Sequence, residues 1–221
     1  MPIAAGSHLT ARAPSACARS SAGTQSARYG CTEATHSNAS GCARAVSRAI
    51  LGTDIQDYGN PLRLRRALDA GVRVVVAHCA SMGEDRDLDR GAHGPVVESF
   101  ALFARLMDEP RYAPLLYGDL SAMTQVRRAA GALSRVLERA DWHARLLNGS
   151  DYPLPGMMPL FSTQYLVTLG LLEPAAAPVL AELRRYNPLL YDFVLKRSLR
   201  RGAASLGARV FETRRFFEGG V

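Results

Sequence analysis

Val72-Arg73-Val74-Val75-Val76-Ala77-His78-Cys79-Ala80-Ser81 decides how this chain is read. The run from Val72 to Ala77 is β-branched or small and nearly all apolar. That composition suits a strand of a parallel sheet, buried on both faces, rather than one alternating between core and water. An imidazole, His78, follows at once, where such a strand would emerge.

The neighbouring text repeats the pattern. Before the strand, Asn60-Pro61-Leu62 opens a helix, with Asn60 as N-cap and Pro61 at the first helical position, and Gly71 stops it. After it, residues 96–107 (VVESFALFARLM) predict an amphipathic helix that ends before Pro110. Residues 113–119 (APLLYGD) read as a second strand, 124–139 as a helix, and 144–151 (ARLLNGSD) as a third strand and turn. Helices are expected over 160–172, 175–186 and 188–200. Antiparallel hairpin signals are absent. Repeated βα units build either an open doubly wound sheet or a closed barrel, and in both the chemistry lies at the carboxyl ends of the strands. Three strands are too few to close an eight-stranded barrel.

Composition narrows the classes. Of 221 residues, 48% are hydrophobic and 21% charged, which excludes a wholly disordered or collagen-like chain. No apolar run reaches the roughly 18 residues needed to span a bilayer, so no membrane partner is expected. The net charge of +7 comes from arginine, Lys196 being the sole lysine. That bias reads as GC-rich coding rather than as a surface selected for phosphate, so no nucleic-acid partner is expected either. The default location is cytoplasmic, with reduced thiols.

Residues 1–46 differ from the rest. They hold 12 alanines and 7 serines, and Ile3, Leu9 and Val46 are their only larger aliphatic residues. Such a stretch cannot bury enough apolar area to offset the entropy of ordering it. Three readings stand side by side: a disordered tail, an organelle transit peptide, or a segment translated out of frame ahead of a genuine domain over 47–221. Cys17, Cys31 and Cys42 lack metal-finger spacing.

The candidate chemistry lies at the strand ends. His78 has the position of a metal ligand or acid–base group, or of a histidine satisfied by the next loop. Asp151, in Asn148-Gly149-Ser150-Asp151-Tyr152-Pro153, has that of a metal-binding carboxylate able to deprotonate water, or of an N-cap or turn acid. Asp119 reads as a capping acid, or as a carboxylate lining the same mouth. His93 lies in a polar loop, Gly83–Gly94, expected to be a solvated excursion. Cys79 lacks a nameable base partner, Ser150 has no nucleophile elbow, and Trp142-His143, before the third strand, points to packing.

The ordered set VRVVVAHCAS, LLYGDLSAM and LLNGSDYPLPG resembles the C-terminal half of the amidohydrolase superfamily, in its metal-dependent TIM-barrel branch. The resemblance covers roughly residues 47–200. It implies a partial (β/α)8 barrel and a small-molecule substrate whose C–N, C–O or P–O bond is hydrolysed. It implies one or two divalent metal ions, commonly zinc. Asp151 would ligate the metal and take the proton of the attacking water; His78 would ligate a metal or hold the substrate. The family's His-x-His on strand one and its bridging strand-four residue have no counterpart here, since His8 and His36 stand alone and no histidine lies between His36 and His78. The alternative is a catalytically dead half barrel that acts by forming a homo-oligomer or assembling with another chain. A third possibility, a basic binding module with a disordered arm, has no feature in its favour.

Overall fold

In the computed structural model, residues 59–218 are described, together with the backbone of Arg44–Val46. Apart from that strand, the readings of residues 1–46, with His8, His36, Cys17, Cys31 and Cys42, lie outside the described residues.

The chain is mixed α/β. Its main sheet has four parallel strands, β1 (Arg44–Val46), β2 (Val74–Val76), β5 (Leu116–Asp119) and β6 (Leu146–Leu147), paired in that order. Arg44 pairs with Val74, Val74 with Leu116, and Gly118 with Leu146. Strand order follows chain order without a reversal among the described residues. Three of these strands coincide with the expected ones; β1 joins the sheet where the sequence announced none. β2, the strand leading to His78, is therefore flanked on both sides.

Between β2 and β5 come a small antiparallel pair, β3 (Glu84–Arg86) and β4 (Val96–Glu98), and the helix α2 (Ser99–Met107). This corrects two readings. Val96–Glu98 is strand rather than the first turn of the helix, and the polar loop after Gly83 is not merely solvated. Its Asp85 and Asp87 are buried, while His93 is exposed. Asp87 is clamped by Arg105 of α2, Nη1 to Oδ1 at 2.7 Å and Nη2 to Oδ2 at 2.9 Å. Arg105 and Arg65 both also reach Asp89. The loop is too long for a two-residue hairpin turn; it is held both by these charge pairs and by a helical turn over Leu88–Arg90 that Asp87 caps and Gly91, at φ 90°, ends.

The Arg105 hydrogen bonds hold the Asp87 carboxyl below its usual value of 3.8. A depressed carboxyl stabilises the fold above its unfolded pKa, and that contribution is lost as pH falls through the folded pKa. Asp87→Asn is therefore expected to cost about 1–3 kcal/mol at pH 7 and progressively less below about pH 4. Urea melts of both proteins at several pH values check it; a gap that stays constant down to pH 2 rejects it.

The core is built on α2, which buries Phe100, Leu102, Phe103, Leu106 and Met107. Trp142 is fully buried and meets Phe100 and Phe103 edge-on. Gly118 of β5 is required here: a Cβ would lie 2.7 Å from Cys79 Sγ and 2.9 Å from Phe103 Cζ. Trp142 and the buried His143 belong to packing, as expected; His143 Nε2 lies 3.1 Å from the Val136 carbonyl, and its Nδ1 accepts from Gly207 N at 3.1 Å.

The helix α1 (Arg65–Asp69) precedes β2. The expected helix over 124–139 is present but interrupted, as α3 (Val126–Arg128), a π-helical turn over Ala129–Leu133, and α4 (Ser134–Glu138). Beyond β6 come α5 (Thr163–Thr168), α6 (Ala176–Tyr186) and α7 (Pro188–Ser198). A two-stranded hairpin, β7 (Arg200–Arg201) with β8 (Ala204–Ser205), and the short α8 (Arg214–Phe217) complete the order. Asn60 caps as its sequence position implies, accepting from Leu62 N at 3.0 Å, and Asn187 caps α7, accepting from Leu190 N at 2.9 Å. No helix among the described residues is long and apolar enough to cross a membrane.

Candidate functional site

The carboxyl ends of β2, β5 and β6 share a backbone peculiarity. His78, Cys79 and Ala80 have φ of 55°, 50° and 50°; Ala122 has 53° and Asp151 has 55°. None is glycine, and left-handed backbone costs such residues about 1–3 kcal/mol each. Strain of this kind persists where the surroundings over-determine a conformation, and here it lies wherever a strand of the parallel sheet releases a polar side chain.

The three consecutive left-handed residues turn the chain sharply after Val76, closed by Ser81 N donating to His78 O at 2.9 Å. The turn buries His78, which is 7% exposed. Its Nδ1 lies 2.9 Å from the Ser121 carbonyl and 2.8 Å from Ser121 Oγ. A carbonyl can only accept, so Nδ1 carries a proton, and in the neutral imidazole Nε2 is the nitrogen left with its lone pair. Ser121 is fixed in turn: its hydroxyl donates to Asp119 Oδ2, and its backbone N donates to Asp119 Oδ1 at 2.7 Å. Asp119 is thus the capping acid the sequence implied, and it also orients the serine that orients His78.

His78 Nε2 faces Asp151 Oδ2 at 3.7 Å. The two residues singled out in the sequence, from strands separated by β5, are brought together. The separation is wider than a hydrogen bond and leaves room for a shared cation or proton carrier between two lone-pair donors.

Beneath Asp151 lies a second layer that sequence reasoning missed. Lys196 of α7 is buried and donates to the Gly149 carbonyl at 2.5 Å and to Asp192 Oδ2 at 2.7 Å. It ties the turn carrying Asp151 to a helix. Gly149 is glycine for a steric reason, since a Cβ would lie 2.5 Å from Asp119 Oδ1. Ser121 and Arg128 were missed too. The buried Arg128 lines a small concavity with Pro61, Leu64, Val76, His78 and Met82. The signals available were Lys196 as sole lysine, four residues after an aspartate, and a serine two residues after Asp119.

Cys79 does not take part as a nucleophile. It is wholly buried, its thiol donates toward the Asp119 carbonyl at 3.4 Å, and burial followed by the nearby Asp119 charge pushes its pKa well up.

The donor set can be tested against the metal that the resemblance implies. A histidine whose Nδ1–H is held by a carbonyl, with Nε2 free, has the tautomer and outer hydrogen bond typical of a ligand. A carboxylate at 3.7 Å is the right second donor. A catalytic zinc takes three protein ligands. Among the described residues no group of three His, Cys, Asp or Glu is gathered for one. The pair fits a cation in kind and falls short in number.

No protein-family model, no curated protein and no solved structure matches this chain.

Proposed function

We propose that the site belongs to a metal-dependent hydrolase of the amidohydrolase kind, and that the parallel sheet is an arc of its barrel. The observation that carries this reading is the approach of His78 Nε2 to Asp151 Oδ2, 3.7 Å apart at the carboxyl ends of two strands of one sheet. Strand order supports the barrel. An open doubly wound sheet reverses its order at a switch point, whereas a barrel adds each strand beside the one before it, as β1, β2, β5 and β6 do.

In this reading His78 Nε2 and Asp151 would hold a divalent ion, commonly zinc, which would lower the pKa of water and polarise the scissile bond. Asp151 Oδ2 is the base that accepts the proton of the attacking water. Ser121 and Asp119 keep the imidazole in its tautomer, and Lys196 keeps the Asp151 turn in place. The bond hydrolysed is C–N, C–O or P–O in a small molecule.

Cobalt(II) titration of the full chain tests this, because d–d absorption reports ligand number. One equivalent is expected to bind, and affinity is expected to fall at least about tenfold in His78→Ala and again in Asp151→Asn. Binding indifferent to both substitutions rejects the reading. The two-donor count among the described residues favours a second one, an inactive half barrel that assembles with another chain. Its signature is a stable oligomer that takes up no cobalt.

A further inference from the structure

Arg128 stands apart from the other well-held arginines. Arg65, Arg105 and Arg139 each grip two carboxylates near the surface. Arg128 is 4% exposed and, among the described residues, has no carboxylate within ion-pair distance. Its Nε donates to Gln125 Oε1 at 3.3 Å and its Nη1 to Ser81 Oγ at 3.2 Å. A guanidinium has five N–H donors. Those on Nη2 and the second on Nη1 have no acceptor among the described residues. Burial pushes its pKa down, and the more distant Asp151 charge opposes that only in part.

A charge removed from water without a counter-ion is unfavourable and is kept where something supplies the counter-ion. Gln125 Nε2, on the side chain that holds Arg128, is a second buried donor without a partner. Arg128 also sits at the start of the π-helical turn Ala129–Leu133, an irregularity frequent at functional sites. It opens onto the same concavity as His78.

We propose that Arg128 anchors a carboxylate-binding subsite beside His78, so that the molecule taken up here is a small carboxylate-bearing compound. The free Nη1–Nη2 edge is a planar fork of the shape a carboxylate accepts bidentately. One guanidinium balances one negative charge. A phosphate would bring a second charge toward Asp151 with no further cation among the residues lining the concavity to meet it. The inference rests on the hydrolase reading only in calling that compound the substrate.

The test is a 15N–1H NMR titration of the full chain, stripped of metal on a chelating resin, at constant ionic strength. Sodium acetate, acetamide and inorganic phosphate are the probes. The Arg128 Nε–H resonance, assigned by its loss in Arg128→Met, is expected to shift saturably with acetate and not with acetamide. Phosphate is expected to bind more weakly than acetate. In Arg128→Met acetate affinity falls at least about tenfold. Arg128→Lys keeps the charge and loses the fork, and it is expected to fold and to weaken acetate binding several-fold, which keeps the test decisive if the methionine variant does not fold. Absence of saturation, equal affinity in the substituted proteins, or tighter binding of phosphate overturns the proposal. Because metal is removed first, acetate binding upholds the subsite even where the cobalt titration fails.

Discussion

Lys196→Met is expected to destabilise the chain by about 3–5 kcal/mol at pH 7, the cost of leaving one member of a buried ion pair alone. The side chains of Lys196 and Asp192 are 1% and 2% exposed. Asp192 Oδ2 is held by Lys196, while Oδ1 has no hydrogen-bond partner among the described residues. Methionine replaces the aliphatic stem but leaves Asp192 as a lone carboxyl in the core and Gly149 O without its donor. Burial already raises the Asp192 pKa, and Lys196 is the group that opposes the rise. In the variant the carboxyl therefore rises further above its unfolded value of 3.8. A native state that binds the proton more tightly gains stability as pH falls through the raised pKa. The deficit should accordingly shrink when melts at pH 7 are repeated near pH 5. A loss under about 1 kcal/mol at pH 7, or a deficit that grows on acidification, sinks the assignment. The double variant Asp192→Leu/Lys196→Met separates stability from positioning. It should recover most of the loss, because a well-packed apolar pair often replaces a buried ion pair at no cost. The turn bearing Asp151 still lacks its tether, so cobalt affinity should stay below that of the parent.

The second large effect is at Trp142. Trp142→Ala is expected to cost about 3–5 kcal/mol, the range for emptying a large aromatic site. The indole is wholly buried, with ring centroids 6.5 Å from Phe100 and 6.2 Å from Phe103. Its Nε1 donates to Asp108 Oδ1 at 3.1 Å, and the Arg139 guanidinium lies 4.2 Å over its ring. The cavity would open between α2 and the residues leading into β6, where Phe103 also packs close to Gly118. Trp142→Phe keeps an aromatic face and loses the Nε1 hydrogen bond, so about 1–2 kcal/mol is expected. Denaturant midpoints rank the two variants; equal losses would mean that the Asp108 contact, not the ring volume, dominates.

Much of this was legible in the residues. Val74–Val76, Leu116–Asp119 and Leu146–Leu147 announced themselves by their short apolar runs, although the expected burial on both faces is not complete: Val75, Tyr117 and Leu147 are only partly buried. Asp119, placed in the sequence as a capping acid, caps Ser121. His78 and Asp151 stood out because they lie at or shortly beyond the carboxyl ends of such runs, and the fold brings them to 3.7 Å. What stayed hidden depends on distant partners. β3 and β4 were concealed because Asp85 and Asp87 read as solvent-facing, and it is α2 that explains their burial, Ser99 holding Asp85 and Arg105 holding Asp87. Ser121 could not be linked to His78 from a local window, nor Lys196 to Gly149. Arg128 looked like any arginine on a helix, since its distinguishing property is the lack of a counter-ion in three dimensions.

The order in which the strands lie side by side is also the order in which a ribosome releases them. Each parallel pairing in the sheet joins a strand to the next one synthesised, so every new βα unit emerges with its docking edge already made. The His78 imidazole can be buried as soon as β5 and Ser121 have arrived. Asp151 comes only with the last of the four strands, so the two donors cannot face one another until the sheet beneath them is already assembled.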